Sequence, residues 1–212
     1  MKRTFLRQLM AVSILCATAW IAPLAHAEDE APDALIKRLS TDVLETIRSD
    51  KAIRAGDMAK VIALVDSRIM PNVNFQRMTA SAVGPAWRQA SPEQQKHLQE
   101  EFKILLVRTY AGALAQVTDQ TITMKPLRAS ADDKEVLVRS EIKGGSDAIQ
   151  LDYRLEKTPG QGAGWRIYNL NVLGVWLVET YRSQFAEEIN SKGIDGLITT
   201  LTERNKNSGK KA

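Results

Sequence analysis

The sequence predicts an α+β domain, with helices packed on one face of a curved four-stranded antiparallel sheet. Two observations carry this. Apolar residues recur at helical spacing through the first half of the chain, and between residues 121 and 172 the pattern switches to period two before helical composition returns. Turn-forming segments at 143–147 and 158–162 separate consecutive period-two runs, as hairpin loops do, so neighbouring runs pair as an antiparallel meander.

The helices follow in order. Residues 33–49 carry Leu35, Ile36, Leu39, Val43, Leu44 and Ile47 at helical spacing with charges between them. Residues 58–69 repeat the pattern with Val61, Ile62, Leu64 and Val65, and Pro71 stops it. A short helix is expected over 74–83, ending near Gly84-Pro85. Ser91-Pro92-Glu93-Gln94 is a capping-box arrangement with proline at the first helical position. It starts the longest helix, which runs to about Val117 with Leu98, Phe102, Leu105, Leu106, Thr109, Tyr110 and Leu114 along one stripe.

Four strands are expected at 121–129, 135–143, 149–157 and 165–172, then helices at 178–191 and 194–204 and a polar, basic tail at 205–212. Val136, Val138, Ser140 and Ile142 alternate with Leu137, Arg139, Glu141 and Lys143. Ile149, Leu151, Tyr153 and Leu155 alternate with Gln150, Asp152, Arg154 and Glu156. One face is thereby apolar and the other wet, as in a sheet covered by helices on one side. Periodicity does not separate a packed core from a lined cavity on that apolar face.

Residues 1–27 read as an export signal. Lys2, Arg3 and Arg7 form a basic start, Leu9 to Leu24 an apolar stretch, and Ala25-His26-Ala27 a small-residue cleavage site before Glu28-Asp29-Glu30. The apolar stretch is shorter than the ~20 residues of a membrane span and contains Pro23. Cys16 follows Leu15, where a lipoprotein site needs a small residue. Cleavage after Ala27 leaves 26 Lys+Arg against 25 Asp+Glu, which does not favour nucleic-acid binding. It also removes the one cysteine and leaves His97 as the single histidine, in the polar run QQKHLQEE. Disulfides play no part in such a chain, and a His-based metal site or a Ser-His-Asp triad would have to be built around one residue. Nucleotide-loop, nucleophile-elbow and zinc-protease motifs are missing from the sequence. The mature chain, 28–204, has the size of one domain.

Residues 164–185, GWRIYNLNVLGVWLVETYRSQF, are rich in large apolar groups and contain no His, Cys or Asp. They resemble the C-terminal pattern of the MlaC, or toluene-tolerance Ttg2D, family of periplasmic phospholipid-binding proteins of the maintenance-of-lipid-asymmetry pathway. That pattern is a Trp, then Tyr-Asp-Val, Glu-Gly-Val-Ser and Tyr-Arg-x-x-Phe. The chain keeps Trp165, Tyr168, Gly174, Val175, Tyr181, Arg182 and Phe185, and departs from it at Asn169, Leu173 and Trp176. The likeness extends upstream through Trp87, the helix 94–115 with Thr109-Tyr110, and the strands after Thr121.

The resemblance implies a cone similar to that of nuclear transport factor 2 with an apolar cavity. Leu106, Tyr110, Val138, Leu151, Tyr153, Val172 and Trp176 would then contact acyl chains, and Arg139, Arg166 and Arg182 are candidates for a headgroup rim. It implies a monomeric periplasmic carrier that is not an enzyme and holds phospholipid as cargo, with no cofactor or metal. The implied partners are an inner-membrane ABC transporter with a lipid-binding ring subunit and an outer-membrane lipoprotein–porin complex. Two other readings stay open on the residues alone: an isomerase or hydrolase of the same cone-shaped type, and an adaptor with a filled core.

Overall fold

Proline, aspartate, asparagine and serine decide where the helices begin. The computed structural model describes residues 30–114, 116–130, 132–144 and 148–208; the expected export signal with its cleavage site, part of the 143–147 loop and residues 209–212 lie outside the described residues. Helix α1 (Pro32–Ser49) opens on its proline. Asp50 caps the single turn α2 (Lys51–Arg54), and Asp57 caps α3 (Met58–Leu64), each carboxylate accepting from two backbone amides. Asn74 accepts from the Arg77 amide at 3.0 Å and starts α4 (Phe75–Val83). The capping box at α5 (Pro92–Leu114) forms as the sequence predicts: Gln94 N donates to Ser91 Oγ at 3.2 Å and Ser91 N to Gln94 Oε1 at 2.9 Å.

The helix expected over 58–69 is α-helical only to Leu64. A π turn (Val65–Ile69) and a 3-10 turn (Met70–Asn72) follow, because Pro71 has no N–H and its ring crowds the carbonyl four residues back. The last helix, α6 (Leu177–Ser208), is broken at Gly193, whose φ of 71° lets the chain turn back on itself. Its second half continues four residues past the expected end at 204. Asn205 there is buried, and its amide donates to the Glu101 carbonyl at 2.9 Å, tying the helix to α5.

The sheet has five antiparallel strands in the order β1-β2-β3-β4-β5, rather than the four read from the sequence. Strand β1 is only Thr121–Met124, since Pro126 follows and cannot donate to a ladder. Strands β2 (Glu135–Lys143), β3 (Ile149–Lys157) and β4 (Trp165–Val172) have the expected bounds. The added strand, β5 (Val175–Trp176), is two residues long and pairs with the end of β4. Leu173 and Gly174 form the turn between them with φ of 52° and 86°, the double positive φ of a type I′ hairpin. A left-handed backbone costs a leucine about 1–2 kcal/mol that asparagine or glycine would largely avoid.

A bulge sets the inward face of β4. Leu155 pairs with Ile167 and Tyr153 with Leu170, so Tyr168 is an extra residue opposite Arg154. Without it the period-two rule would send either Trp165 and Ile167 or Leu170 and Val172 to the wrong side. With it all four point inward.

Three apolar clusters hold the elements together. Leu35, Ile36 and Leu39 of α1 cover Val136, Val138, Tyr153, Leu155, Trp165 and Ile167 of the sheet. Helices α1, α2, α3 and α5 share a second cluster around Ile47, Ile53, Val61 and Leu64. The largest joins α4, α5 and both halves of α6, with Leu170 and Val172 of β4 against it. At its centre Phe102, fully buried, meets the rings of Phe75, Tyr181 and Phe185 at 5.7, 5.0 and 5.2 Å between centroids.

Replacing Phe102 with alanine removes the ring that links three helices. Its unfolding free energy in urea should fall by about 3–5 kcal/mol. A loss below about 1 kcal/mol would show that this cluster can collapse around the gap.

Candidate functional site

The inner face of the sheet is largely apolar, and its burial by the helices decreases from one end to the other. Register places its residues in rows across the strands. Val136, Leu155 and Ile167 form one row and Val138, Tyr153 and Leu170 the next; of these only Leu170 is not fully buried. The row beyond is Met124, Ser140, Leu151, Val172 and Val175, and the last is Ile122, Ile142 and Ile149. In those two rows Ser140 is buried, Val175 is 48% exposed and the rest are half-buried. The face therefore opens toward the β2–β3 loop and the β4–β5 turn.

Side chains of α5 and of the turn before α4 meet β4 through the helical cluster. Leu106, Tyr110, Met70 and Val73 are half-buried and pack against the helical cluster that Val172 and Leu170 also touch. Leu170 and Val73 contact the α1-covered cluster as well; Val73 forms a parallel bridge with Ile167, so the two cores meet there toward the closed end of the sheet. The half-buried Leu106, Tyr110, Leu151 and Val172 thus form an apolar seam between α5 and the less covered end of the sheet.

Its polar atoms are few and partnered. Ser140 Oγ donates to the Leu151 carbonyl at 3.0 Å. Burial pushes the Tyr153 phenol up, partly countered by hydrogen bonds with Ser40 and Ser140. Burial likewise raises Tyr110, helped by nearby Tyr181. Both phenols stay neutral, so the seam carries no charge from them.

Of the residues read from the sequence, the structure brings Leu106, Tyr110, Leu151 and Val172 to the seam. Val138 and Tyr153 line its closed end, under α1. Trp176 lies on the other face of the sheet: it pairs with Asn171, and the Arg154 guanidinium stacks over its ring at 4.0 Å. The three arginines do not converge. Arg139 is exposed on the outer face opposite Asp152, and Arg166 is on that face at the closed end, opposite Glu156. Arg182 is on α6, where its Nε donates to the Ser81 carbonyl at 2.8 Å. Toward the less covered end, Lys143 and Lys125 are both bridged to Glu141 on the outer face, and Arg48 of α1 donates to the Gln120 carbonyl beside β1.

Asp152, read as a wet-face residue, is only 7% exposed, and its Oδ1 has no hydrogen-bond partner. Asn169 and Asn171 beside it are buried too. The start of α6 covers Asn169, whose Oδ1 accepts from Val178 N at 3.2 Å and whose amide donates to Glu179 at 2.8 Å, while Asn171 Oδ1 accepts from Gly174 N at 2.9 Å and Asp152 Oδ2 from the Gln150 amide at 2.8 Å. Missed in the sequence were Met70, then Val73 and Leu170 where the two cores meet, and the exposed pair Leu173 and Val175. For Leu170 the signal was present in the double apolar phase of β4.

The rest of the outer face is closed by charge. Arg77 of α4 reaches round the β4 edge to bridge Glu135 at 2.6 Å and Glu156, with its guanidinium 3.6 Å from the centre of the Tyr168 ring. The Tyr168 hydroxyl donates to Glu135 at 2.7 Å. Hydrogen bonds from Arg77 and then Tyr168 hold Glu135 below the usual carboxylate value, while burial and the Glu135 carboxylate push Tyr168 up to about 12. Among the described residues there is no group of three or more His, Cys, Asp or Glu suited to a metal ion, and no helix long and apolar enough to cross a membrane.

This fold has known relatives. The sequence pattern of the MlaC protein family matches residues 37–203. The chain belongs to the MlaC family. Among its members, the toluene tolerance protein ttg2D of Pseudomonas putida is 26% identical over 175 residues, covering 82% of this chain and 80% of that protein. The intermembrane phospholipid transport system binding protein MlaC of Haemophilus influenzae is 22% identical over 200 residues, 93% of each. A phospholipid-binding protein from Ralstonia solanacearum, solved in complex with a phospholipid at 1.53 Å, is 47% identical. It superposes with a TM-score of 0.80 over 84% of this chain and 98% of that one. The family resemblance read from residues 164–185 is thereby shown, despite the departures at Asn169, Leu173 and Trp176.

The Arg77 network makes stability depend on acid. Because its folded pKa is lowered, Glu135 contributes stability above its ordinary value of 4.5 and loses it as pH falls through the folded value. Arg77→Gln should therefore lower the urea midpoint at pH 7 and approach wild type at pH 3. Equal differences at the two pH values would mean that Arg77 acts through packing on Tyr168 and not through charge.

Proposed function

We propose that this protein is a periplasmic phospholipid carrier that takes acyl chains into the seam between the open end of the sheet and α5. One observation carries the reading: an apolar sheet face left half-covered at one end, in a chain 47% identical to a protein solved with a phospholipid bound. Leu151 and Val172 form its floor, Leu106 and Tyr110 its facing wall, and Val138 and Tyr153 its inner end. The lipid-filled form is an NTF2-like cone whose cavity widens along this seam.

The energetics demand enclosure. Each buried CH₂ is worth ~0.8 kcal/mol, so a chain of about sixteen carbons exposes on the order of 10 kcal/mol to water. A shallow groove cannot offset that, whereas a deep apolar cavity can, with the phosphate head left at the mouth in solvent. Lys143 and Lys125 are better placed for such a head than Arg139, Arg166 or Arg182. No bond is made or broken in this cycle, and it uses no cofactor or metal; the phospholipid is cargo.

The export signal, cleaved after Ala27, delivers the single domain 28–204 as a monomer. There it moves lipid between an outer-membrane lipoprotein–porin complex and an inner-membrane ABC transporter with a lipid-binding ring subunit. The family names of its relatives support transport, and the inward rows support a greasy cargo over a reacting substrate.

The mature protein, purified from a periplasmic fraction without detergent, should yield near-stoichiometric diacyl phospholipid on organic extraction and mass spectrometry. Leu151→Arg should lose that lipid while keeping the fold, because the position is half-exposed. Arg139→Gln on the exposed outer face should retain it; Asp152, being buried, is no control. An empty, stable wild type would return the seam to plain core and favour an adaptor.

A further inference from the structure

Leu173 and Val175 are the two large hydrophobic side chains most out of place on the described surface, 63% and 48% exposed. Leu173 is doubly unfavourable: it exposes a leucine to water, and it holds that leucine in the left-handed conformation of a type I′ turn, where asparagine is the natural choice. The turn is nevertheless firmly built. Leu173 N donates to the Gln150 carbonyl at 3.0 Å, and Gly174 N donates to Asn171 Oδ1 at 2.9 Å. An outlier so held, with no contribution to a core, points to a contact made outside the chain.

Three features give that contact its chemistry. From Ile167 to Val178 no residue is charged, so the tip can enter an apolar phase without desolvating an ion. Trp176 follows the tip directly, with the Arg154 guanidinium, itself bridged to Glu179, over its ring, and Lys143, bridged to Glu141, stands at the same end of the sheet. An apolar point backed by tryptophan and flanked by cations is the composition of an interfacial membrane contact. The tip is also continuous with the open row: Val175 pairs with Val172, and Val172 with Leu151. Two protruding side chains are too little for a stable protein interface, which buries about 800 Å² on each partner. They are enough for a transient hold on a bilayer.

We propose that the β4–β5 turn is a membrane-contact tip, with Leu173 and Val175 entering the interfacial layer of a phospholipid bilayer and aligning the open end of the sheet with it. The carrier reading gives this contact its use, but the contact itself is a property of the tip.

The test is co-sedimentation of the mature protein with vesicles of phosphatidylethanolamine containing a minority of phosphatidylglycerol, for wild type, Leu173→Asn and Leu173→Met. Leu173→Asn should raise the unfolding midpoint, because asparagine suits the turn, and lower vesicle binding about tenfold. Leu173→Met should bind like wild type, and phospholipid copurifying with each variant should be unchanged. A wild type that does not bind vesicles, or a Leu173→Asn variant that binds as well as wild type, overturns the tip. So does a Leu173→Asn variant that loses copurified lipid in step with vesicle binding, since Leu173 would then belong to the cargo site. Vesicle binding that depends on Leu173 in a protein carrying no lipid supports the tip and counts only against the carrier.

Discussion

The architecture depends on one constraint: the sheet presents a largely apolar face, and the helices bury only part of it. Helix α1 closes the end that holds Val136, Leu155 and Ile167, and the Phe102 cluster fixes α4, α5 and α6 as a separate block. The two cores meet only through residues such as Leu170 and Val73. Toward the β4–β5 turn the sheet and α5 are joined through the less buried Leu106, Tyr110 and Val172, with Leu151 beside Val172. A single continuous core would have to give up buried contacts to admit a ligand.

The outer face shows the opposite strategy. Arg77 and Arg154 each pair with carboxylates and stack on a ring, Tyr168 and Trp176 respectively, so the guanidinium planes cover aromatic surface that would otherwise meet water. Because these groups are partly exposed, the ion pairs themselves stabilise little. Their effect is to fix the edge where β4, α4 and the start of α6 meet. This is the edge from which the β5 hairpin projects.

The departures from the family pattern now have distinct physical meanings. Asn169 is a structural hinge point, accepting from the α6 amide of Val178 and donating to Glu179. Trp176 is a platform for Arg154 on the outer face. The Leu173 side chain is exposed and belongs to none of the apolar clusters. Three substitutions within eight residues thus divide into two that serve the fold and one that faces outward.

The sequence by itself determined the α+β class, the capping box that starts α5, the bounds of β2, β3 and β4, the alternation that makes one sheet face apolar, and membership of the family. These follow from local rules, because hydrogen-bond periodicity and cap chemistry are written within a few residues of each other. Only the tertiary structure decided that Tyr168 bulges, that Asp152, Asn169 and Asn171 are buried, that Trp176 turns outward, and that cover over the apolar face thins toward one end. Burial depends on which helix lies over which row, and that is set by packing between segments far apart in the chain. For the same reason Met70 and Val73 left no trace in their own neighbourhood, while Leu151 and Val172 could be read from the strand period.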